Sequence, residues 1–139
     1  MKIDFVFVRT GDIYTQVRFD DIIYVKTEGD CCVLVTTVGS QRYINSIRVI
    51  QRYLPPARFV RTHRSYIINV ERLVAFDREW LEIQGTYKLE KLPLGYRYRN
   101  DLRRRVPMLI QKSGSFSRVK RKAVYQLEDE EFEIEMKTE

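Results

Sequence analysis

The chain has 139 residues, 44% hydrophobic and 32% charged, with four Pro and six Gly, which fits one ordinary globular domain and excludes a low-complexity or wholly disordered polymer. A domain of this size buries roughly two thirds of its unfolded surface and needs no disulfide or metal to hold it. No apolar run approaches the ~18 residues of a membrane span, and the opening MKIDFVFVRTGD lacks a signal-peptide core, so a soluble, cytoplasmic protein without a membrane partner is expected.

Residues 3–8 (IDFVFV) read as a strand alternating in period two, Thr10-Gly11-Asp12 turns the chain, and residues 13–19 alternate again. Asp20-Asp21 reads as punctuation. Strands at 22–26 and 31–37 flank Thr27-Glu28-Gly29-Asp30, a hairpin-turn composition. Cys31 and Cys32 are the only cysteines. Neighbours on a strand point to opposite faces, so a disulfide between them is not expected. A short strand at 41–44 precedes one clear helix. Ser46 is its candidate N-cap, Ile47, Ile50 and Leu54 fall at helical spacing, and Pro55-Pro56 stops it. Residues 58–70 read as a strand, a tight polar corner and a second apolar patch. Strands follow at 72–76, 80–84 and 87–92. From Tyr96 to Val106 the pattern turns helical, with Tyr98, Leu102 and Val106 as a stripe and Pro107 as the stop. The sum is a mainly β domain of about eight short strands and two short helices, in small antiparallel sheets without a βαβ rhythm.

Residues 1–112 are expected to form this domain and 113–139 a partly mobile tail, basic and Ser/Gly-rich at first and acidic at the end. Residues 127–139 hold seven acids and one lysine; the remaining residues 1–126 carry 24 bases against 12 acids, a surplus of +12. Arginine dominates that surplus, and a body so basic commonly meets a polyanion. The acidic block suggests a phosphate mimic covering the basic face, or simply a solvated terminus.

Catalytic chemistry finds little support. His63, the single histidine, could form a thiol dyad only with cysteines set in a strand pattern, and no third group orients it. There is no zinc-ligand spacing and no Gly-rich phosphate loop. The chain is read as a non-enzyme without cofactor or metal.

Two patches carry a different signal. In Arg58-Phe59-Val60-Arg61-Thr62-His63-Arg64-Ser65-Tyr66, alternation turns Phe59 inward and Arg58 outward, and the run Arg61 to Ser65 leaves the apolar pattern. Its cations and hydroxyls suit phosphates and base edges, with His63 bracing the corner and Arg64 pointing out. The second patch, Gly95-Tyr96-Arg97-Tyr98-Arg99-Asn100, interleaves aromatics with arginines at a strand-to-helix junction. Tyr98 is assigned to the core, and Arg103-Arg104-Arg105 to a solvated face.

The order DIIYVKTEGDCCVLVTT … INSIRVIQRYLPPARFVRTHRSYIINVERLVAF … LEKLPLGYRYRNDL resembles the LytTR DNA-binding domain, an output module of bacterial response regulators in two-component systems, over about residues 15–106. The block F-x-R-x-H-R-S-Y-I-x-N from Phe59 to Asn69, just after Leu54-Pro55, is its most specific part. The resemblance implies small antiparallel sheets and loops entered into successive major grooves of bent DNA, with pairs of molecules, possible homodimers, on promoter direct repeats. It places base contacts at Arg64, at Cys31 and at Gly95-Tyr96 with Arg97. Cys31 is short for that task, and Tyr96 stands where the family usually has Arg. Phosphate contact or bracing falls to Arg61, His63, Ser65 and Arg99.

The family usually sets this module behind a receiver or a membrane sensor, and no receiver fits in this chain; its start Met and tail favour a free-standing factor over a piece of a longer regulator, served by a sensor kinase or receiver in trans. Two rivals stay open. One is an adaptor that occupies other LytTR proteins and has lost DNA reading. The other is a single-strand or RNA binder stacking bases on Tyr14, Tyr43 or Tyr87.

Overall fold

The computed structural model describes residues 2–111. The elements form one compact unit, Met1–Arg105. The whole of the expected tail, 113–139, including its acidic block, lies outside the described residues.

Ten strands and two short α-helices appear among the described residues: β1 (Phe5–Thr10), β2 (Ile13–Arg18), β3 (Ile22–Glu28), β4 (Cys31–Thr36), β5 (Gly39–Tyr43), α1 (Ile47–Gln51), β6 (Phe59–His63), β7 (Tyr66–Asn69), β8 (Leu73–Phe76), β9 (Trp80–Gln84), β10 (Leu89–Pro93) and α2 (Arg99–Arg105). Every strand pairing is antiparallel. The mainly β class with short helices therefore holds. The strand count is higher because residues 58–70 make a hairpin, β6 and β7, rather than one strand and a loose patch.

The strands form three sheets: β1-β2, β10-β9-β8 and a five-stranded sheet ordered β5-β4-β3-β7-β6. Val25, Leu34, Cys32 and Ile67 of the large sheet are buried in one cluster with Val8 and Val17 from the β1–β2 hairpin and Ile47, Ile50 and Leu54 around α1. Alternation sends Tyr24 and Ile68 to the other face. There the Tyr24 hydroxyl donates to Glu90 Oε1 of β10 at 2.8 Å. Burial and that carboxylate push the Tyr24 phenol up, so it stays protonated as the donor.

Local chemistry explains the joints. Gly29 turns β3 into β4 with φ +63°, a left-handed conformation that favours glycine. Ser46 occupies the N-cap of α1, but its side chain makes no capping bond. Its carbonyl accepts from Val49 N, and Asn45 Oδ1 accepts from Ser46 N at 2.8 Å. Before α2 the chain makes a 3-10 turn, Tyr96–Tyr98. The helix ends at Arg105, so Val106 is not part of the stripe expected from the sequence. Leu102 is fully buried, while Tyr98 is half-buried rather than a core residue. Arg58 is less exposed to solvent than outward alternation implied. Its Nη2 bridges Asp20 at 2.5 Å and Glu71 at 3.2 Å, tying the Phe19–Asp21 turn to the turn after β7. Among the described residues no helix is long and apolar enough to cross a membrane.

Candidate nucleic-acid interface

Antiparallel pairing brings the two turns singled out in the sequence to one end of the large sheet. Lys26 of β3 faces Tyr66 of β7, and Thr27 N donates to Ser65 O at 3.1 Å. The same end of β3 leads into Glu28, paired with Cys31 of β4. The β3–β4 turn and the β6–β7 turn (Arg64, Ser65) thus stand side by side.

The β6–β7 turn is held from inside. His63 Nδ1 accepts from Ser65 N at 3.1 Å, and burial, with Arg64 and Arg61 nearby, holds the imidazole below its ordinary value of 6.5. A neutral ring is what the bond requires, since a protonated Nδ1 has no lone pair to offer. Arg61 donates from Nε to His63 O at 3.0 Å, from Nη2 to Arg64 O at 2.5 Å and from Nη1 to Gln51 Oε1 at 3.1 Å. One guanidinium therefore fastens two turn carbonyls to α1. Arg64 itself is exposed, its backbone fixed and its side chain outward.

The second patch docks onto the first. Gly95 N donates to Thr62 O at 2.8 Å, and a Cβ built on Gly95 would lie 3.0 Å from Tyr98 Cδ2 and 3.5 Å from His63 Cα. The Tyr98 ring lies 5.8 Å from the Arg61 guanidinium, and Arg99 stacks over the Tyr96 ring at 5.1 Å. Tyr96 is 80% exposed, and Arg97 is exposed beside it. Arg99 Nε is buried and has no partner among the described residues. So the segment that carries Tyr96, Arg97 and Arg99 packs against β6 next to the turn that carries Arg64, with Thr62, His63, Arg61 and Tyr98 at the joint.

Cys31 sits on this end too, half-buried and reduced. Its thiol donates to Glu28 O at 3.2 Å and accepts from Arg42 Nη1 at 3.4 Å. Arg42 also bridges Glu28 at 2.8 Å, and Lys26 bridges the same carboxylate at 3.1 Å. The two cations hold Glu28 below the usual carboxylate range. Arg42 was not singled out in the sequence; its only signal is its place one residue before the end of β5. Cys32, on the opposite face, is buried, and burial pushes its thiol up.

A family model, the LytTr DNA-binding domain, matches residues 12–107. This protein belongs to the LytTR family. The Sensory transduction protein LytT of Bacillus subtilis (strain 168) is 29% identical over 99 residues, covering 68% of this chain and 40% of that protein. The chain thus spans about two-fifths of the length of that curated relative. Among solved structures, the LytTr DNA-binding domain of a putative methyl-accepting/DNA response regulator from Bacillus cereus superposes with a TM-score of 0.62 at 20% identity, covering 75% of this chain and 97% of that one. The likeness is one of fold. A LytTR domain is a DNA-binding domain and not an enzyme fold, and it serves as a response-regulator output module.

Proposed function

We propose that this LytTR chain is a sequence-specific regulator of transcription that binds double-stranded DNA and reads the major groove with turns instead of a helix. The observation that carries the reading is the docking of the segment bearing Tyr96, Arg97 and Arg99 next to the braced turn that exposes Arg64. A guanidinium presents two N–H groups in a fork that matches guanine O6 and N7, and such a contact is worth ~1–3 kcal/mol of discrimination. Arg64 supplies that contact, and Arg97 with Tyr96 reads a neighbouring groove. Arg99 and the positive field of the surface hold phosphates. Arg61, His63 and Ser65 keep the Arg64 turn in one shape, so little ordering is left for binding to cost. Cys31 offers only a weak hydrogen bond to a base. Two copies on promoter direct repeats, addressed by a sensor kinase or receiver in trans, complete the proposal.

The test is fluorescence anisotropy on pooled random 30-mer duplexes, followed by selection of the bound fraction, for the wild type and Arg64→Ala. A selectable consensus that Arg64→Ala relaxes at one position supports the reading. Weak binding without an enrichable sequence overturns it in favour of the adaptor that occupies other LytTR proteins. Preference for single strands over duplex in competition overturns it in favour of a single-strand binder.

A further inference from the structure

Beside the β6–β7 turn lies an open groove lined by Arg48, Gln51, Arg52, Arg61 and Tyr98. Its outer wall is α1. The buried side of that helix carries Ile47 and Ile50, followed by Leu54, which leaves Arg48, Gln51 and Arg52 on the exposed side. Arg48 and Arg52 are four residues apart and the backbone stays helical through Arg52, so the two cations are neighbours on one face. Like charges so placed destabilise a helix slightly unless an anion lies between them. Neither arginine takes part in an ion pair among the described residues. The inner wall is Arg61. Three of its five N–H groups serve His63, Arg64 and Gln51, and two remain for another acceptor.

We infer that this groove is a seat for a phosphodiester of the DNA backbone, with Arg48 and Arg52 as the contacting side chains and Arg61 as the link to the reading turn. The inference rests on the DNA reading proposed above and extends its footprint to α1. The chemistry selects a polyanion. Three guanidinium groups face an open groove without a carboxylate in its lining, and guanidinium pairs with phosphate through parallel N–H···O bonds. The position selects the source. Arg61 holds the carbonyl of Arg64 itself, so a duplex lying on Arg64 runs its backbone past this wall. Phosphate contacts carry no sequence information; they fix register. The groove thus sets how the Arg64 turn is presented to a base pair while remaining blind to which pair it is.

The experiment measures binding of the full chain to a selected duplex and to a random-sequence duplex across a salt series, for the wild type, Arg48→Gln/Arg52→Gln and Arg72→Gln. Arg72 lies in the turn after β7, at the other end of the sheet, where its Nη2 donates to Asp20 O. The double glutamine variant is expected to lose roughly tenfold in affinity per phosphate contact near 0.1 M salt, equally on both duplexes, with the log–log salt slope shallower by ~1 for each contact. Arg72→Gln is expected to keep the wild-type slope. Thermal melting of each variant confirms folding, and the pair Arg48→Lys/Arg52→Lys, which keeps the charge, is expected to recover the slope. An unchanged slope in the double glutamine variant overturns the phosphate seat while leaving the DNA reading intact. A loss confined to the selected duplex also overturns it, because the groove would then be reading bases. Absence of any salt-dependent duplex binding by the wild type overturns the DNA reading, and this inference with it.

Discussion

Arg64 and His63 sit next to each other in the chain and do opposite work. The Arg64 side chain is exposed on a turn whose carbonyl is tied to Arg61. Arg64→Ala is therefore expected to leave the melting temperature close to wild type and to cost ~1–3 kcal/mol of discrimination at one base pair, read from competition between the selected duplex and its single-base variants. His63 faces inward, and its task is to accept from Ser65 N. Its folded value lies below 6.5 because burial and two arginines disfavour the charge. Below 6.5 the unfolded chain takes up a proton that the folded chain refuses, so stability falls as pH drops through that window and is full above it. Asp20 and Glu28, whose folded values are lowered from ordinary carboxylate values, lose their contributions at lower pH and do not blur this range. Urea midpoints between pH 7.5 and 5.5 are expected to drop more for the wild type than for His63→Asn; parallel lines would refute the brace.

At the scale of elements, two joints position the interface, and each rests on one small or buried residue. Asn69, 1% exposed at the end of β7, donates from Nδ2 to Ile22 O at 3.0 Å and accepts at Oδ1 from Glu71 N at 3.0 Å. It binds β7 to the start of β3 and caps the following turn. Asn69→Ala leaves both backbone groups without their partner and is expected to cost ~2–3 kcal/mol, measured by chemical denaturation. Gly95 is the other joint. A methyl group there crowds Tyr98 at 3.0 Å, so Gly95→Ala is expected to lose ~1 kcal/mol of stability and to weaken DNA binding by shifting Tyr96 and Arg97, visible in the same anisotropy titration.

These joints also explain what the sequence could convey. Period-two alternation marked most strands, and Ile47, Ile50 and Leu54 marked α1, because each element buries one face of regular spacing. The β6–β7 hairpin was blurred because β6 bulges between Arg61 and His63, which breaks alternation at the very turn that matters. Tyr98 read as a core residue because its spacing to Leu102 is helical; it is half-buried because a 3-10 turn, with its tighter geometry, sets it under Arg61 instead. Arg42 and the groove of Arg48 and Arg52 were not legible as parts of a site. They reach it through strand register and through the packing of α1, neither of which spacing along the chain reveals.

For the molecule as a whole, the question is how many of its cations a duplex can use at once. The surplus of +12 over residues 1–126 is not all available. Arg58 is committed to Asp20 and Glu71, Arg18 to Asp4 and Arg42 to Glu28, while Arg104 and Arg105 lie beside Asp101. Six arginines remain around the braced end of the sheet: Arg48, Arg52, Arg61, Arg64, Arg97 and Arg99. If each neutralises about one phosphate or replaces its counterion, the log–log salt slope is near −5. Doubling the salt from 0.1 to 0.2 M is then expected to weaken duplex binding by roughly thirtyfold. A slope of that size, measured on non-specific duplex, would mean that affinity is supplied by this one end of the sheet, and a slope near −10 would mean that the wider surplus joins in. The two cases part further on a short duplex. An interface confined to one sheet end keeps its slope when the duplex is cut to about one and a half helical turns, whereas a field spread over the molecule loses it in proportion to the phosphates removed.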